Sequence, residues 1–285
     1  MSANILIINP KHPFQLVSPP LGIGYILAYN RKISDNSVTF LDENFIEQSD
    51  GEILKTIKEK NIEFIGISFP SVAILRVLAI CKLIRTHFNN GITLFTGGYH
   101  PTSEPELTLR LIPYFDFLII GEAEHIISKL DCNWRSSENI AYLNNNVFIQ
   151  NPITYLKNID EIPYPQRTDF NKRYFAPCFG AIAGIFGKVA TIMSSRGCPY
   201  SCKFCSCKLI QKTVRFHSTE YVLSEIEHIL SVTGKIDYLY FLDVMFLAKW
   251  GRVEELCSAF IRLGLHKHFK WAATVAANVV DDKKN

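Results

Sequence analysis

The sequence predicts an α/β protein in two parts: an open, doubly wound parallel sheet, and then a shorter series of strand–helix units. Three observations lead to this prediction. Up to residue 122, short runs rich in Ile, Phe, Thr and Val alternate with segments of helical periodicity. The same alternation resumes after residue 188. Four of the eight cysteines lie between residues 198 and 207, directly after the first strand of the second series.

The runs of the first part suit strands buried on both faces, because they are apolar throughout instead of alternating. Strict alternation of such strands with helices gives a parallel sheet covered on both sides. Asp50 and Ser71 are expected to cap two of the helices. The predicted strands are 4–10, 37–42, 62–69, 92–98 and 115–122, and the predicted helices are 21–32, 49–60, 72–88 and 103–112.

The ends of these strands carry small and polar residues where the hydrophobic pattern could have continued. In such sheets, ligands bind beyond the carboxyl ends of the strands. Two adjacent glycines would let the backbone approach a flat ligand closely. An ordinary turn is the alternative at any one position, but several such residues on one edge favour a binding site. The candidates are Ser68, Gly97, Gly98, Tyr99, His100, Gly121 and Glu122.

Residues 133–187 differ in character from their surroundings. Residues 141–152 are typical of a hairpin around three asparagines, and residues 159–170 form a connector interrupted by prolines. We therefore expect a first domain at 1–132, a hairpin and linker at 133–187, and a second domain at 188–285. In the second domain, predicted strands 189–194, 236–243 and 270–276 alternate with helices 219–232 and 252–263.

Composition narrows the class of protein. The chain is 48% hydrophobic and 20% charged, so it can bury a core. A net charge of +3 gives no argument for nucleic acid or a membrane surface. The N-terminus lacks the features of a signal peptide, and no apolar run is long enough to span a bilayer. We expect a cytoplasmic protein, in which clustered thiols stay reduced and hold metal.

Cys198, Cys202 and Cys205 follow the pattern C-x3-C-x2-C. A zinc site normally needs four ligands; His217 could supply one, and Cys207 is poorly spaced for that role. A thioredoxin-like pair formed by Cys202 and Cys205 would leave Cys198 without a function. Three thiolates on a short loop can instead hold a [4Fe–4S] cluster, with the fourth iron open to a small chelating molecule.

The loop CPYSCKFC resembles the cluster loop of the radical S-adenosylmethionine (radical SAM) enzymes, whose signature is C-x3-C-x-aromatic-C. The resemblance implies that the three cysteines bind the cluster, that Phe204 adjoins the adenine of S-adenosylmethionine (SAM), and that Asp243 helps to position SAM. In that family, the open iron binds the amino and carboxylate groups of SAM, and electron transfer yields a 5′-deoxyadenosyl radical. The resemblance also implies an electron donor of the flavodoxin or ferredoxin type.

The first domain is similar to the cobalamin-binding domain of one large radical SAM class, which includes methyltransferases and the anaerobic magnesium-protoporphyrin IX monomethyl ester cyclase. The resemblance implies a flavodoxin-like domain in which Ser68, Gly97 and Gly98 line the nucleotide tail of cobalamin, followed by a radical SAM partial barrel. His12 lacks the neighbouring aspartate and glycine of histidine-ligated cobalamin proteins, so we expect cobalamin without a protein histidine on its lower face. The segments concerned are PPLGIGYI, GGYHPT, FDFLIIGEAEH and IDEIPYPQRTDF.

The leading hypothesis is a cobalamin-dependent radical SAM enzyme that performs methyl transfer or oxidative cyclisation on a small molecule or natural product. No catalytic residue is assigned. A radical SAM core normally has about twice as many strand–helix units as the three after residue 188, so we expect truncation within the radical domain. One alternative is an inactive corrinoid- and iron–sulfur-binding fragment. Another is a transfer-RNA methylthiotransferase, whose second cluster would need Cys81, Cys132 and Cys178.

Overall fold

Two units make up the structure, a computed structural model that describes residues 2–13, 18–179, 186–210 and 213–279. The N-terminal unit comprises Met1–Phe14 and Tyr25–Tyr155, and the C-terminal unit comprises Gln15–Gly24 and Leu156–Asn285. Residues 180–185 of the expected linker lie outside the described residues.

The N-terminal unit is built on a seven-stranded sheet in the order β2-β1-β3-β4-β5-β6-β7. Strands β1 to β5 are parallel, and β6 and β7 are antiparallel to their neighbours. The strand order reverses between β1 and β3, which is where flavodoxin-like sheets bind ligands. The predicted doubly wound parallel sheet is confirmed. The strands are β1 (Asn4–Asn9), β2 (Ser37–Asp42), β3 (Phe64–Ser68), β4 (Thr93–Gly97), β5 (Phe117–Ile119), β6 (Ile140–Asn144) and β7 (Val147–Gln150).

Helices connect the parallel strands and cover the apolar sheet. Ile8, Ile65 and Leu94 of the strands are buried in one core with Ile53 and Val77 of the helices. This burial explains why the strands are apolar throughout. The helices are α1 (Leu21–Ile33), α2 (Ser49–Glu59), α3 (Ile74–Phe88), α4 (Tyr99–Ser103), α5 (Pro105–Leu111) and α6 (Glu124–Ile127).

The two predicted helix caps are wrong. The N-cap positions of α2 and α3 are Gln48 and Ala73, and neither makes a side-chain capping bond. Asp50 lies in the first turn of α2 and forms an ion pair with Arg76. Ser71 starts a short 3-10 turn, and its hydroxyl contacts His100, which is 29 residues away in sequence. Both side chains have partners that are distant in sequence, which local capping rules do not detect.

The asparagine-rich segment forms the predicted hairpin, and this hairpin extends the sheet. Asn145 and Asn146 have φ values of 47° and 64°, as a two-residue type I′ turn requires. β6 pairs with β5, so β5 is an interior strand. The hairpin therefore belongs to the N-terminal unit, whereas the sequence interpretation placed it with the linker because the composition changes there.

The C-terminal unit contains a parallel sheet in the order β10-β13-β14. Its helix α8 begins where the Ser218 hydroxyl accepts a hydrogen bond from the Tyr221 N–H, and ends at Gly234, which has φ +70°. Ile192 and Leu239 of the sheet are buried against the helices. The elements are β8 (Cys178–Phe179), β9 (Phe186–Gly187), β10 (Val189–Ile192), β11 (Ser195–Arg196), α7 (Cys207–Ile210), β12 (Arg215–Phe216), α8 (Thr219–Thr233), β13 (Tyr238–Phe241), α9 (Trp250–Arg262) and β14 (Lys270–Ala273).

The proline-interrupted connector is anchored to this unit by a buried ion pair. Arg167 Nη2 donates to Glu225 Oε1 of α8 at 2.7 Å and to the Thr191 carbonyl of β10 at 2.8 Å. The side chains of Arg167 and Glu225 are 1% and 0% exposed. In the part of the chain that the structure describes, no helix is long and apolar enough to cross a membrane.

Candidate cofactor sites

The carboxyl ends of β3 and β4 bring Ser68, Gly97 and Gly98 together. Ser68 is the register partner of Gly97. Gly98 has φ +89°, and a Cβ on it would lie 2.6 Å from Ser68 Oγ. A Cβ on Gly97 would meet nothing closer than the Ile119 carbonyl oxygen, at 3.5 Å. The geometry therefore requires glycine at position 98 more strictly than at position 97.

His100 lies at the same edge of the sheet. Its Nδ1 is 2.8 Å from Ser71 Oγ, and its ring centroid is 5.4 Å from that of Phe69. Burial lowers the pKa of His100, against an opposing effect of Glu104, so the imidazole is neutral at pH 7. Its Nε2 is buried and has no hydrogen-bond partner among the described residues. Tyr99 beside it is exposed.

The remaining candidates lie at the end of β5. Gly121 has φ +79°, and its N–H donates to Thr102 Oγ1 at 3.1 Å. Glu122 is buried. These two residues and the pair Ser68–Gly98 follow parallel strands of one sheet, so the structure places them along a common edge.

The loop after β1 is held by a buried carboxylate. Glu43, directly after β2, is fully buried and accepts a hydrogen bond from the Lys11 N–H at 3.1 Å. The Arg76 guanidinium neutralises it through a bidentate contact. His12 is the half-buried next residue of this loop.

In the C-terminal unit, Cys198, Cys202 and Cys205 lie on one loop, Cys207 begins helix α7 directly after it, and a β-ribbon closes the base of this segment. Ser195 and Arg196 of β11 pair with Phe216 and Arg215 of β12. Gly197 follows with φ +100°, and a Cβ there would lie 2.4 Å from the Thr213 carbonyl oxygen. Because backbone approaches backbone at this point, only glycine fits.

Asp243, two residues after the end of β13, anchors the start of this loop. It accepts hydrogen bonds from the Ser194 N–H at 3.0 Å, the Ser194 hydroxyl at 2.9 Å and the Ser195 hydroxyl. Arg252 Nη2 donates to the Ser194 carbonyl at 2.8 Å. Burial raises the pKa of Asp243, although the serine hydrogen bonds and the Arg252 charge oppose this effect. The N–H of Ser194 is thus hydrogen-bonded to Asp243, and its carbonyl is hydrogen-bonded to Arg252 of α9.

The thiols of the loop are unequally exposed. Cys202 is exposed, whereas Cys198, Cys205 and Cys207 are half-buried. Cys205 accepts hydrogen bonds from the backbone and thiol of Cys207, and these lower the pKa of Cys205. Burial and the neighbouring Cys205 raise the pKa of Cys207 to about 11. Phe204, between Cys202 and Cys205, is 93% exposed.

His217, directly after β12, makes contacts that stabilise the structure. Its Nδ1 lies 2.8 Å from Asp160 Oδ1, and its ring stacks on Tyr221 with a centroid distance of 3.8 Å. Burial lowers the pKa of His217 to about 4, and the Asp160 hydrogen bond only partly offsets this. The imidazole is therefore neutral at pH 7 and donates its Nδ1 proton to Asp160.

We expect the stability of the C-terminal unit to fall as the pH is lowered from 7 to 5. The unfolded chain takes up a proton on His217 near its usual pKa of about 6.5, whereas the folded chain resists this until about pH 4. The stabilising effect is complete above pH 6.5 and is lost progressively towards pH 4. His217→Gln should remove about 2 kcal/mol of the pH 7 to pH 5 difference in urea unfolding. His266→Gln, at an exposed site, should leave the difference unchanged; an equal pH slope for all three proteins would contradict this account.

Comparison with known proteins finds relatives whose similarity extends over both units. Residues 12–131 match the B12-binding domain family. The chain is 29% identical over 273 residues to an uncharacterised methyltransferase of Pyrococcus horikoshii, which covers 93% of this chain and 57% of the relative. It is 21% identical over 278 residues to the anaerobic magnesium-protoporphyrin IX monomethyl ester cyclase of Cereibacter sphaeroides, covering 94% and 44%. The chain thus spans about half the length of these curated relatives.

A solved structure shares the fold across both units. OxsB, described as a cobalamin-dependent S-adenosylmethionine radical enzyme and solved with aqua-cobalamin and SAM bound, superposes with a TM-score of 0.72. The match has 19% identity and covers 92% of this chain and 37% of OxsB. Residues 12–131 therefore match a B12-binding domain, and both units are similar in fold to cobalamin-dependent radical SAM enzymes. The radical SAM methyltransferase TsrM from Kitasatospora setae matches with a TM-score of 0.70 and 13% identity, over 93% of this chain and 52% of TsrM.

The residues of the two candidate sites fit the two cofactors to different degrees. In the N-terminal unit, the carboxyl ends of the strands carry small residues and the buried His100 Nε2. These suit a ligand that approaches the backbone and offers polar atoms. Three thiols on one loop are the donor set that iron–sulfur clusters use. Among the described residues, however, no three His, Cys, Asp or Glu side chains are already arranged as metal ligands. The loop has the donors for a cluster.

Several residues that shape these sites were missed by the sequence analysis. Arg252, Arg167 and Glu225 act on residues far away in the chain, and nothing in their local sequence indicates burial. Asp160 is in the proline-interrupted connector, where a solvated carboxylate is the ordinary expectation. Gly197 carried a usable signal, since an Arg-Gly directly before a cysteine motif indicates a tight turn.

Proposed function

We propose that the protein is a cobalamin-dependent radical SAM enzyme that catalyses methyl transfer or oxidative cyclisation on a small molecule. The observation that carries the proposal is the three-cysteine loop. It is anchored through Ser194 and Asp243 at the carboxyl end of β10, in a chain whose N-terminal unit matches the B12-binding family. The curated relatives include a methyltransferase and a cyclase, so both reactions stay within the proposal.

Each part of the proposed chemistry is assigned to named residues of this chain. Cys198, Cys202 and Cys205 would hold the cluster, and Phe204 would adjoin the adenine of SAM. When bound there, a cluster would supply the electron for the cleavage of SAM. The chain contributes a rigid base for the loop through Asp243 and the Gly197 turn.

The corrin would bind along the edge formed by the carboxyl ends of β3, β4 and β5. Ser68, Gly97 and Gly98 would line its nucleotide tail, with Tyr99 and His100 beside them. Gly121 and Glu122 would contact it from the end of β5. His12 is proposed to take no part as an axial ligand, because the carboxylate that would orient such a histidine is absent from its sequence motif.

The methylthiotransferase alternative has less support. Its second cluster would need Cys81, which is fully buried in the core of the N-terminal unit. Burial raises the pKa of Cys81 to about 12, and a metal ligand must be a thiolate.

Anaerobic reconstitution with iron and sulfide, followed by electron paramagnetic resonance of the reduced protein, tests the proposal. We expect a [4Fe–4S] signal that SAM perturbs, because SAM would bind the open iron. Cys198→Ala should abolish the signal, and Cys132→Ala, at an exposed position in the N-terminal unit, should preserve it. Bound zinc without acid-labile sulfide, or a full signal in Cys198→Ala, would defeat the proposal.

Gly98→Ala is expected to weaken the binding of hydroxocobalamin by at least about tenfold. The added Cβ would collide with Ser68 Oγ and would also strain a backbone with positive φ. Titration followed by the visible absorption of the corrin measures the affinity. Gly51→Ala, on α2 with nothing within 4 Å of the added Cβ, is the matched control and should bind normally. Equal affinity of the two variants would remove Ser68 and Gly98 from the site.

A further inference from the structure

Cys207 is the member of the cysteine group to which the proposed function gives no role. It begins α7, two residues after Cys205. Cys198, Cys202 and Cys205 already account for three corners of a cluster, and the fourth iron has to stay open for SAM. The place of Cys207 beside them therefore needs an explanation other than iron ligation.

The side chain of Cys207 is sheltered, although its neighbours in sequence are not. Ser206 and Leu209 are exposed, whereas Cys207 is half-buried. The Cys205 N–H donates to the Cys202 carbonyl at 3.1 Å. The Leu209 N–H donates to the Ser206 carbonyl at 2.8 Å. Two successive turns thus connect the loop to α7, and Cys207 lies on the inner side of the second turn.

Two groups of Cys207 donate to a single sulfur atom. Its backbone N–H and its thiol both form hydrogen bonds to Cys205 Sγ. The charge of Cys198 also acts on Cys207, so this thiol lies near a second proposed ligand. A thiol is a weak donor, but an iron-bound Cys205 would be a thiolate, and hydrogen bonds to charged acceptors are the stronger ones.

Hydrogen bonds to the ligand sulfurs are among the factors that set the reduction potential of an iron–sulfur cluster. A donor withdraws negative charge from the sulfur. The reduced cluster carries one more negative charge than the oxidised cluster, so a donor stabilises the reduced form more. A cluster that loses such a donor therefore becomes harder to reduce.

We propose that Cys207 raises the reduction potential of the proposed cluster by donating its thiol hydrogen to Cys205 Sγ. Cys207 is not a fourth ligand; it acts on the cluster through Cys205. The inference rests on the proposed function, because it needs a cluster bound to Cys205. The backbone N–H of residue 207 is present whatever the side chain, so a substitution there removes the contribution of the thiol alone.

A redox titration of the full chain, reconstituted anaerobically with iron and sulfide and followed by electron paramagnetic resonance, tests the proposal. Cys207→Ala should keep the [4Fe–4S] signal and shift its midpoint potential to a more negative value. The expected change is at least about threefold in the reduction equilibrium, or about 28 mV for a one-electron couple. Cys207→Ser keeps a donor, its hydroxyl, and should show a smaller shift. Ser206→Ala, at the exposed neighbouring position, is the matched control and should leave the potential unchanged.

An unchanged potential in Cys207→Ala would overturn the inference, and so would equal shifts in Cys207→Ala and Cys207→Ser or in Cys207→Ala and Ser206→Ala. Loss of the cluster signal in Cys207→Ala would also overturn it, because Cys207 would then be needed to hold the cluster. All these outcomes leave the proposed function standing, since the unaltered protein still holds its cluster. An unaltered protein that forms no [4Fe–4S] cluster would instead defeat the proposed function, and this inference with it.

Discussion

Arg167→Ala is expected to lower the free energy of unfolding of the C-terminal unit by about 3–5 kcal/mol. The substitution leaves the Glu225 carboxylate buried without its partner, at a side chain with 0% exposure. Burial already raises the pKa of Glu225 against the effect of Arg167, so the loss of the guanidinium leaves burial without its main opposing influence. The variant also removes the hydrogen bond to the Thr191 carbonyl, which ties the connector to β10.

Urea unfolding followed by circular dichroism measures the effect. Arg110→Ala is the matched control: Arg110 also contacts a carboxylate, Glu106, at 2.7 Å, but the two side chains are 46% and 50% exposed. An exposed pair of this kind contributes about 0.3–0.5 kcal/mol. The double replacement Arg167→Met with Glu225→Met should recover much of the loss, because it removes both buried charges. Similar effects for Arg167→Ala and Arg110→Ala would show that the buried pair is not an anchor.

Asp243→Ala is expected to lower the iron retained after anaerobic reconstitution by about tenfold, an effect typical of residues that support metal ligands. Three donors on Ser194 and Ser195 lose their common acceptor, and Arg252 is left buried without the negative charge that most favours its charged form. The first residues of the cysteine loop then lose their fixed position. Asp243 is thus a positioning residue for the loop; its direct contact with SAM stays a prediction.

Asp237→Ala, at the other end of β13, provides the control. Asp237 precedes β13 as Asp243 follows it, and its carboxylate accepts the Lys188 N–H at 2.8 Å. Removing it disturbs the opposite end of β10, away from the cysteines, so iron retention should be unchanged. Iron and sulfide are measured at a temperature at which both variants keep the circular dichroism of the unaltered protein. Equal loss in both variants would mean that Asp243 contributes only general stability.

The strands were predictable because their signal is local. β2 occupies residues 37–42, as its apolar pattern predicts. The helix predicted over 103–112 is α5 (Pro105–Leu111), and a short helix that was not predicted, α4 (Tyr99–Ser103), precedes it with a break at Glu104. Pro105 accounts for the break, since proline lacks an N–H and starts a helix more readily than it continues one.

The anchors of the cysteine loop were not predictable in the same way. Asp243 contacts Ser194 across 49 residues of sequence, and Arg167 contacts Glu225 across 58. Hydrophobic periodicity specifies which face of an element is buried, but it does not specify which polar group meets another in that interior. The cysteine spacing indicated the donors of the site, while their support emerged only from the tertiary structure.

The pairing of β6 with β5 determines where the corrin-binding half could be separated as an independent protein. A polypeptide ending at residue 132, near the limit of the B12-binding match, would expose the edge of β5 along its whole length. Bare edges of this kind recruit strands from other molecules and promote aggregation. A polypeptide that continues to Tyr155 would retain its own hairpin as a cover, and should therefore stay monomeric when the shorter one precipitates.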